Sequence, residues 1–244
     1  MKLITASLKL ARALAHIVAG LWTIHTRFAT LPQAEKEVLV TAWSRTMLDK
    51  IGIELRVLGQ PAISGPMLLV ANHISWLDIT SMHAARYCHF VSKASIKQWP
   101  IIGTLSDATG TLYVERENRR DALRVVHRMA DALREAQVVA VFPEGTTSNG
   151  EGLLPFHPNV LQAAIAADAP LQTVALSYLD RASGQRTQAA SFIGDQTLVG
   201  SIWRVFTAPP LTVVLDYGIP QHANGRDRRT WAQDAQADIA RRRN

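Results

Sequence analysis

The sequence has a single cysteine, Cys88, among 244 residues. One thiol cannot form a disulfide within the chain, and it cannot build a cysteine metal site. Because disulfides are rare in reducing compartments, this shortage favours a cytoplasmic environment. Cys88 sits within an apparent strand, so it is interpreted as a buried core thiol and not as a reactive one.

Charged residues are also scarce: they make up 19% of the chain, whereas hydrophobic residues make up 48%. The net charge of +6 suits an anionic membrane, an acidic substrate or nucleic acid alike. The arginines form no long cluster interleaved with aromatic side chains, so nucleic-acid binding is the weaker interpretation. The basic tail 241–243 is predicted to contact anionic lipid.

The apolar stretch near the N-terminus, Ala13–Thr26, is short of the roughly 20 residues that a membrane span needs. No small-residue cleavage site follows it, which separates it from a signal peptide. We expect a helix in the bilayer interface with Trp22 at headgroup level. An ordinary buried helix is the alternative. Residues 33–50 predict a second helix, so residues 1–50 form a predicted membrane-associated helical pair.

After this pair, the pattern changes to alternating strands and helices. Predicted strands cover residues 53–58, 67–71, 89–92, 111–114, 138–142, 171–178 and 211–217. Predicted helices cover residues 76–86, 118–136, 159–167 and 226–243, and Asn118 caps the second of them. This alternation predicts an α/β domain over residues 51–244, with a mixed, mostly parallel central sheet flanked by helices. In such sheets, chemistry collects in the loops beyond the carboxyl ends of the strands.

The first candidate site follows a predicted buried strand and reads Asn72-His73, with Asp78 five residues after the histidine. Imidazole is the natural general base at neutral pH, and a carboxylate on its other nitrogen fixes the tautomer. The two can meet if His73 lies in the loop and Asp78 in the first helical turn. A helix-capping pattern, Ser75-x-x-Asp78, is the alternative explanation of the acid. The same spacing at His222 and Asp227 is interpreted as chance.

Two further segments carry polar residues past predicted strands. The strand 138–142 leads into Pro143, Glu144, Gly145 and Thr146, where backbone amides and hydroxyls can hold an anion. A solvated polar loop is the alternative. The strand 111–114 leads to Arg116, which suits a phosphate or carboxylate, although a surface ion pair would explain it equally.

Two lysines are weaker candidates. Lys93 and Lys97 precede the apolar stretch 99–103, which could line an acyl groove. Either lysine could meet an acidic carrier protein or a phosphate. Two solvated lysines are an equally good explanation.

Taken in order, Asn-His-x4-Asp, Gly110-x5-Arg116 and Phe-Pro-Glu-Gly-Thr-x-Ser resemble the three motifs of the glycerolipid acyltransferase family over residues 53–178. The resemblance implies that His73 is the general base on the acceptor hydroxyl and that Asp78 orients it. It implies that Asn72 supports the loop. It further implies an acceptor headgroup site shaped by Arg116, Glu144, Gly145 and Thr146.

The same resemblance implies a fatty acyl thioester of acyl carrier protein or coenzyme A as donor and a lysolipid as acceptor. The acceptor it suggests first is 1-acyl-sn-glycerol-3-phosphate, which would give phosphatidic acid. It implies no cofactor, no metal and no covalent enzyme intermediate. It also implies a peripheral or monotopic protein on the cytoplasmic face of the inner membrane.

Two departures from the family pattern concern the acceptor. Many members carry an arginine where this chain has Thr147, and a proline in the next strand where it has Thr173. Both weaken the case for a phosphate monoester. The third motif and the following segment 153–156 also look like members that acylate lyso-ornithine lipid.

Other functions stay open from the sequence. The histidine–aspartate pair could activate water in a hydrolase of thioesters or lipids. The fold could serve a non-catalytic lipid-binding protein, although a pure binder has no need of a base. The chain has no Gly-x-Ser-x-Gly elbow, and capping explains Ser75 better than nucleophilic catalysis does.

Overall fold

The computed structural model describes residues 2–114 and 119–243, and for Lys2 and residues 119–122 it describes the backbone alone. The helices are α1 (Lys2–Thr26), α2 (Gln33–Ile51), α3 (Leu77–Ala85), α4 (Ile102–Ala108), α5 (Arg119–Arg134), α6 (Gln162–Ala166), α7 (Leu198–Thr207) and α8 (Arg228–Arg243). The strands are β1 (Ile53–Leu58), β2 (Met67–Ala71), β3 (His89–Lys93), β4 (Leu112–Val114), β5 (Val138–Val141), β6 (Leu171–Asp180) and β7 (Leu211–Tyr217).

These strands form one sheet in the order β1-β7-β6-β2-β5-β3-β4. β6 and β7 run antiparallel, and the other neighbours are parallel. The predicted mixed, mostly parallel sheet is therefore confirmed. β2 and β5 lie side by side near its centre, and every residue of both is buried. Such continuous apolar strands are expected where helices cover both faces of a sheet.

Alternate residues of the central strands pack into two separate hydrophobic cores. Leu69 and Ala71 face the core that α1, α2 and α3 close, whereas Leu68 and Val70 face the core that α5, α6 and α8 close. This alternation follows from the two-residue period of a strand. Cys88 lies fully buried one residue before β3, and burial raises the pKa of its thiol to about 12. The interpretation of Cys88 as a core thiol is confirmed.

The first helix is longer than the predicted apolar stretch, because it begins at Lys2. By length and composition alone, Leu3–Thr26 is the one helix of the described residues that could cross a membrane, and 11% of its apolar window is buried. One side of α1 packs on the domain through Ala6 and Ala13. The His16 ring stacks on Trp43 of α2. The alternative of an ordinary buried helix is therefore wrong.

Other differences concern short or irregular elements. α4 and α7 were not predicted, and β6 continues two residues past the predicted end. The predicted helix 159–167 is a 3₁₀ turn, Pro158–Leu161, followed by the short α6. Asn118, the predicted cap of α5, lies outside the described residues.

Candidate active site

The site lies where β2 and β5 end. Because the two strands are parallel neighbours, the loop 72–76 after β2 meets the loop 142–154 after β5. His73 lies in the first loop and Asp78 in the first turn of α3, as the spacing predicted. The site therefore lies at the carboxyl ends of the strands, where parallel sheets commonly bind ligands.

The predicted histidine–aspartate pair forms. His73 Nδ1 lies 2.8 Å from Asp78 Oδ2. The Asp78 side chain is fully buried, whereas 19% of the His73 side chain is exposed. With Nδ1 donating to the carboxylate, Nε2 is left as the proton acceptor of the neutral imidazole. The His73 imidazole is therefore accessible to a substrate, whereas the Asp78 carboxylate behind it is shielded from water.

Asp78 also caps α3. Its Oδ2 atom accepts hydrogen bonds from the backbone N–H groups of Ile74 at 2.7 Å and Ser75 at 2.9 Å. The Ser75 hydroxyl in turn accepts from the backbone N–H of Leu77. The capping pattern and the dyad are therefore two roles of one carboxylate. Hydrogen bonds from backbone N–H groups to a carboxylate are short and strong, so they hold the Asp78 side chain in place.

Tyr178 completes the surroundings of Asp78, and sequence reasoning missed it. Its hydroxyl donates to Asp78 Oδ1 at 2.7 Å. Burial first, and the Asp78 charge second, raise the pKa of Tyr178 well above its usual value, so the hydroxyl stays a donor. No spacing in the sequence indicates this contact. It follows only from the topology, since β6 pairs with β2 and continues beyond its end.

The His73 ring lies against aromatic side chains. It stacks on Phe142 with ring centroids 3.9 Å apart and an angle of 8° between the planes. Phe142 stacks in turn on Phe90. The stacking restricts the rotation of the imidazole, and the apolar surface excludes water from one side of the base.

Glu144 holds the backbone of the site. Its Oε1 atom accepts from the His73 N–H at 3.1 Å, and its Oε2 atom accepts from the Leu154 N–H at 3.2 Å. The residue is 4% exposed, so the alternative of a solvated glutamate is wrong. Burial raises its pKa, and the two backbone hydrogen bonds oppose that effect. The carboxylate therefore links the two loops.

The rest of the third motif folds around His73. Gly145 adopts a positive φ of 71°, which a side chain would disfavour, and its N–H donates to the Phe142 carbonyl. Thr146 is exposed at the loop surface. The Ser148 backbone N–H and hydroxyl both donate to the His73 carbonyl, at 2.8 and 3.1 Å. The Thr147 hydroxyl donates to the Phe192 carbonyl, so it points away from the loop amides.

Asn72 joins the loop to β6. It is fully buried, its side-chain N–H donates to the Leu176 carbonyl at 3.0 Å, and its oxygen accepts from the Leu176 N–H at 2.7 Å. This pair of hydrogen bonds continues the β2–β6 pairing beyond the end of β2. Its geometry agrees with the loop-supporting role that the resemblance implies.

The outcome differs among the remaining candidate residues. Arg116 lies outside the described residues. Lys97 is exposed and stands 3.9 Å from Asp107. Asp227 of the second His-x4-Asp copy caps α8 by accepting from the backbone N–H groups of Arg229 and Thr230. That role supports the interpretation of the copy as chance.

The prediction that the basic tail contacts lipid is wrong for two of its three arginines. Arg242 pairs with Asp216 and Asp238. Arg243 is buried and donates to backbone carbonyls of the loop after the third motif. Their positive charges are used inside the fold, because α8 packs along the domain and does not project from it.

An α/β domain with a buried acid behind an accessible histidine defines a class of enzyme that activates a hydroxyl or water by general-base catalysis. The family model described as acyltransferase matches residues 51–177. The chain is 38% identical to the 1-acyl-sn-glycerol-3-phosphate acyltransferase of Neisseria gonorrhoeae, over 73% of this chain and 69% of that protein. It is 35% identical to the lyso-ornithine lipid O-acyltransferase of Pseudomonas aeruginosa, over 84% and 78%.

The fold is also that of the crystal structure of the 1-acyl-sn-glycerophosphate (LPA) acyltransferase PlsC from Thermotoga maritima. The TM-score is 0.72 with 17% identity, over 99% of this chain and 96% of that one. The chain belongs to the acyltransferase family, and it is an O-acyltransferase.

Proposed function

We propose that this protein transfers a fatty acyl group from a thioester to the free hydroxyl of a lysolipid, with 1-acyl-sn-glycerol-3-phosphate as the first candidate acceptor. The observation that carries the proposal is the 2.8 Å contact between a partly exposed His73 and a fully buried Asp78. The two relatives of 38% and 35% identity are named for the acylation of 1-acyl-sn-glycerol-3-phosphate and of lyso-ornithine lipid. A base within reach of that hydroxyl is what the transfer requires.

In the proposed reaction, His73 Nε2 takes the proton of the acceptor hydroxyl as its oxygen attacks the thioester carbonyl. Asp78 stabilises the imidazolium that forms. The tetrahedral adduct then collapses, the carbon–sulfur bond breaks, and the imidazolium proton passes to the departing thiolate. The products are an ester and a free thiol, and the histidine returns to its neutral form.

The acceptor headgroup is proposed to lie over the loop 144–148 and near Arg116. A lyso-ornithine lipid is the second candidate acceptor. The observation that favours it is Thr147, which stands in place of an arginine and turns its hydroxyl towards Phe192. A headgroup with a carboxylate would need fewer cations than a phosphate monoester.

Residues 1–50 are proposed to bind the cytoplasmic face of the inner membrane, and residues 51–244 to form the acyltransferase domain. Because α1 packs lengthwise on the domain through Ala6 and Ala13, we infer that it lies in the interface and does not cross the bilayer. Its outer face exposes Leu3, Ile4, Leu8 and Trp22, and the neighbouring α7 exposes Val199 and Trp203. The donor is proposed to be acyl carrier protein or coenzyme A thioester.

The test is acyl transfer by the purified protein in detergent, with a labelled thioester of each carrier and with each of the two lysolipids. We expect His73→Ala to lower the rate about 10²- to 10⁴-fold, the usual contribution of a general base. The matched control is His222→Ala in the chance copy of the motif, which should keep wild-type activity. Full activity of folded His73→Ala would remove the dyad from the mechanism. Release of free acid without any lysolipid would favour the hydrolase.

A further inference from the structure

We propose that Arg243 of α8 is a positioning residue for acyl transfer, because it clamps the loop that carries the third motif onto the backbone of His73. The proposal rests on the proposed function for its catalytic consequence. Residue 243 lies well outside the matched family region 51–177, so the three motifs do not include it.

Arg243 makes buried contacts that a surface arginine does not make. The residue is 7% exposed, and one of its terminal nitrogens donates to the Gly152 carbonyl at 3.1 Å while the other donates to the Gly150 carbonyl. Within the described residues its Nε atom has no hydrogen-bond partner. Burying a guanidinium costs free energy. The two hydrogen bonds to carbonyl groups of one loop offset part of that cost.

The loop carries the contact on to His73 in two steps. The Gly150 N–H donates to the Ser148 hydroxyl, and that hydroxyl donates to the His73 carbonyl. Gly150 also packs tightly on Ile74: its φ is +80°, and an added Cβ would lie 3.2 Å from the Ile74 side chain. Movement of the loop at Gly150 would therefore reach the residue that follows the base.

A second contact of α8 reaches the same place by another route. The Gln236 side-chain N–H donates to the Leu154 carbonyl at 3.0 Å. The Leu154 N–H donates to Glu144, whose other oxygen accepts from the His73 N–H. The helix thus holds the loop at 150–152 and at 154, and both connections end on the backbone of His73.

The departure at Thr173 adds a polar contact that helps to hold α8 in place. The Thr173 hydroxyl donates to Asp238 of α8, and Asp238 also pairs with Arg242 at 3.0 Å. A proline at 173 would offer no hydroxyl. The same substitution that departs from the family pattern therefore anchors the helix that carries Arg243.

The positive charge of Arg243 also acts on Glu144. Burial raises the pKa of Glu144, and the nearby Arg243 charge opposes that rise together with the backbone hydrogen bonds. The arginine thereby favours the ionised glutamate, which is the form that accepts from both loops. A neutral replacement would lose both guanidinium hydrogen bonds and the positive charge. Lysine would keep the positive charge but not the pair of hydrogen bonds.

The experiment compares Arg243→Gln, Arg243→Lys and Gln236→Ala with the control Arg228→Gln, which changes an exposed arginine at the other end of α8. Initial rates are measured against lysolipid and against donor concentration. We expect Arg243→Gln to lower kcat about 10- to 100-fold, the effect of a small misplacement in a catalytic site, with the donor KM unchanged. Arg243→Lys should have a kcat between those of Arg243→Gln and wild type. Gln236→Ala should lower kcat less than Arg243→Gln does, and the control should have the kcat of wild type.

Hydrogen exchange provides a readout that does not depend on activity. Amides of residues 148–154 should exchange at least tenfold faster in Arg243→Gln, while α8 and the central strands keep their protection. Unchanged exchange in 148–154, or an unchanged kcat in the folded variant, would overturn the proposal. If wild type transfers acyl groups to neither lysolipid, the proposed function fails while the exchange result still decides the clamp.

Discussion

His83 is a buried histidine that the proposed reaction does not use, and it makes the stability of the protein depend on pH. It is 4% exposed, and within the described residues neither ring nitrogen has a hydrogen-bond partner. Its ring packs edge-on against Phe90 and near Tyr87. Burial first, and the neighbouring His89 second, lower the pKa of His83 to about 3.

The size of the effect follows from the two pKa values of His83. In the unfolded chain it protonates near pH 6.5, whereas in the folded protein it stays neutral down to about pH 3. Below pH 6.5 the unfolded state therefore binds the extra proton, and the folded state loses stability as the pH falls. The loss is about 2 kcal/mol between pH 7 and pH 5, and about 5 kcal/mol in full.

The assay is urea unfolding in detergent at pH 7 and pH 5, for wild type, His83→Phe and the exposed-site control His222→Gln. Because phenylalanine is somewhat larger, His83→Phe changes stability at both pH values, so the readout is the difference between them. We expect that difference to shrink by about 2 kcal/mol in His83→Phe and to stay as in wild type in the control. An equal pH dependence of all three proteins would refute the reasoning.

Three further changes test other parts of the structure. Tyr178→Phe removes a donor to buried Asp78, so the free energy of unfolding should fall by about 1.5–3 kcal/mol in urea melts, with slower transfer. Asn72→Ala leaves a backbone N–H and C=O unpaired, so a loss of about 1–3 kcal/mol is expected in the same melts; no loss would mean that water replaces the side chain. Replacing Val199 and Trp203 together by serine should lower the affinity for anionic vesicles about tenfold, as measured by co-sedimentation. The rate of acyl transfer in detergent should not change.

The central strands and the dyad were predictable because their signals are local. β2 and β5 are short apolar runs that helices cover on both faces, so composition alone indicates them. The pair His73 and Asp78 needs only a strand, a tight loop and the first turn of a helix to meet. All three conditions can be read within a dozen residues of sequence.

The features that were missed depend on distant parts of the chain. α7 contains a glycine and several β-branched residues, which disfavour a helix. It forms because Thr197 caps it, by accepting from the Gly200 N–H, and because its apolar face packs into the core. Tyr178 and Arg243 reach the site across the sheet and from the last helix. A pattern of spacings carries no information on contacts between positions so far apart.

The partner of β1 has a consequence for the order of folding. Among the described strands β1 pairs with β7 alone, and the paired residues Glu54 and Thr212 are 158 positions apart. At ribosomal speeds of about 5–20 residues per second, β1 waits roughly 8–30 s for its partner. During that time α1 and α2 are already synthesised, whereas the sheet still lacks the strand with which β1 pairs. We expect α1 and α2 to meet the bilayer before β1 takes its place in the sheet.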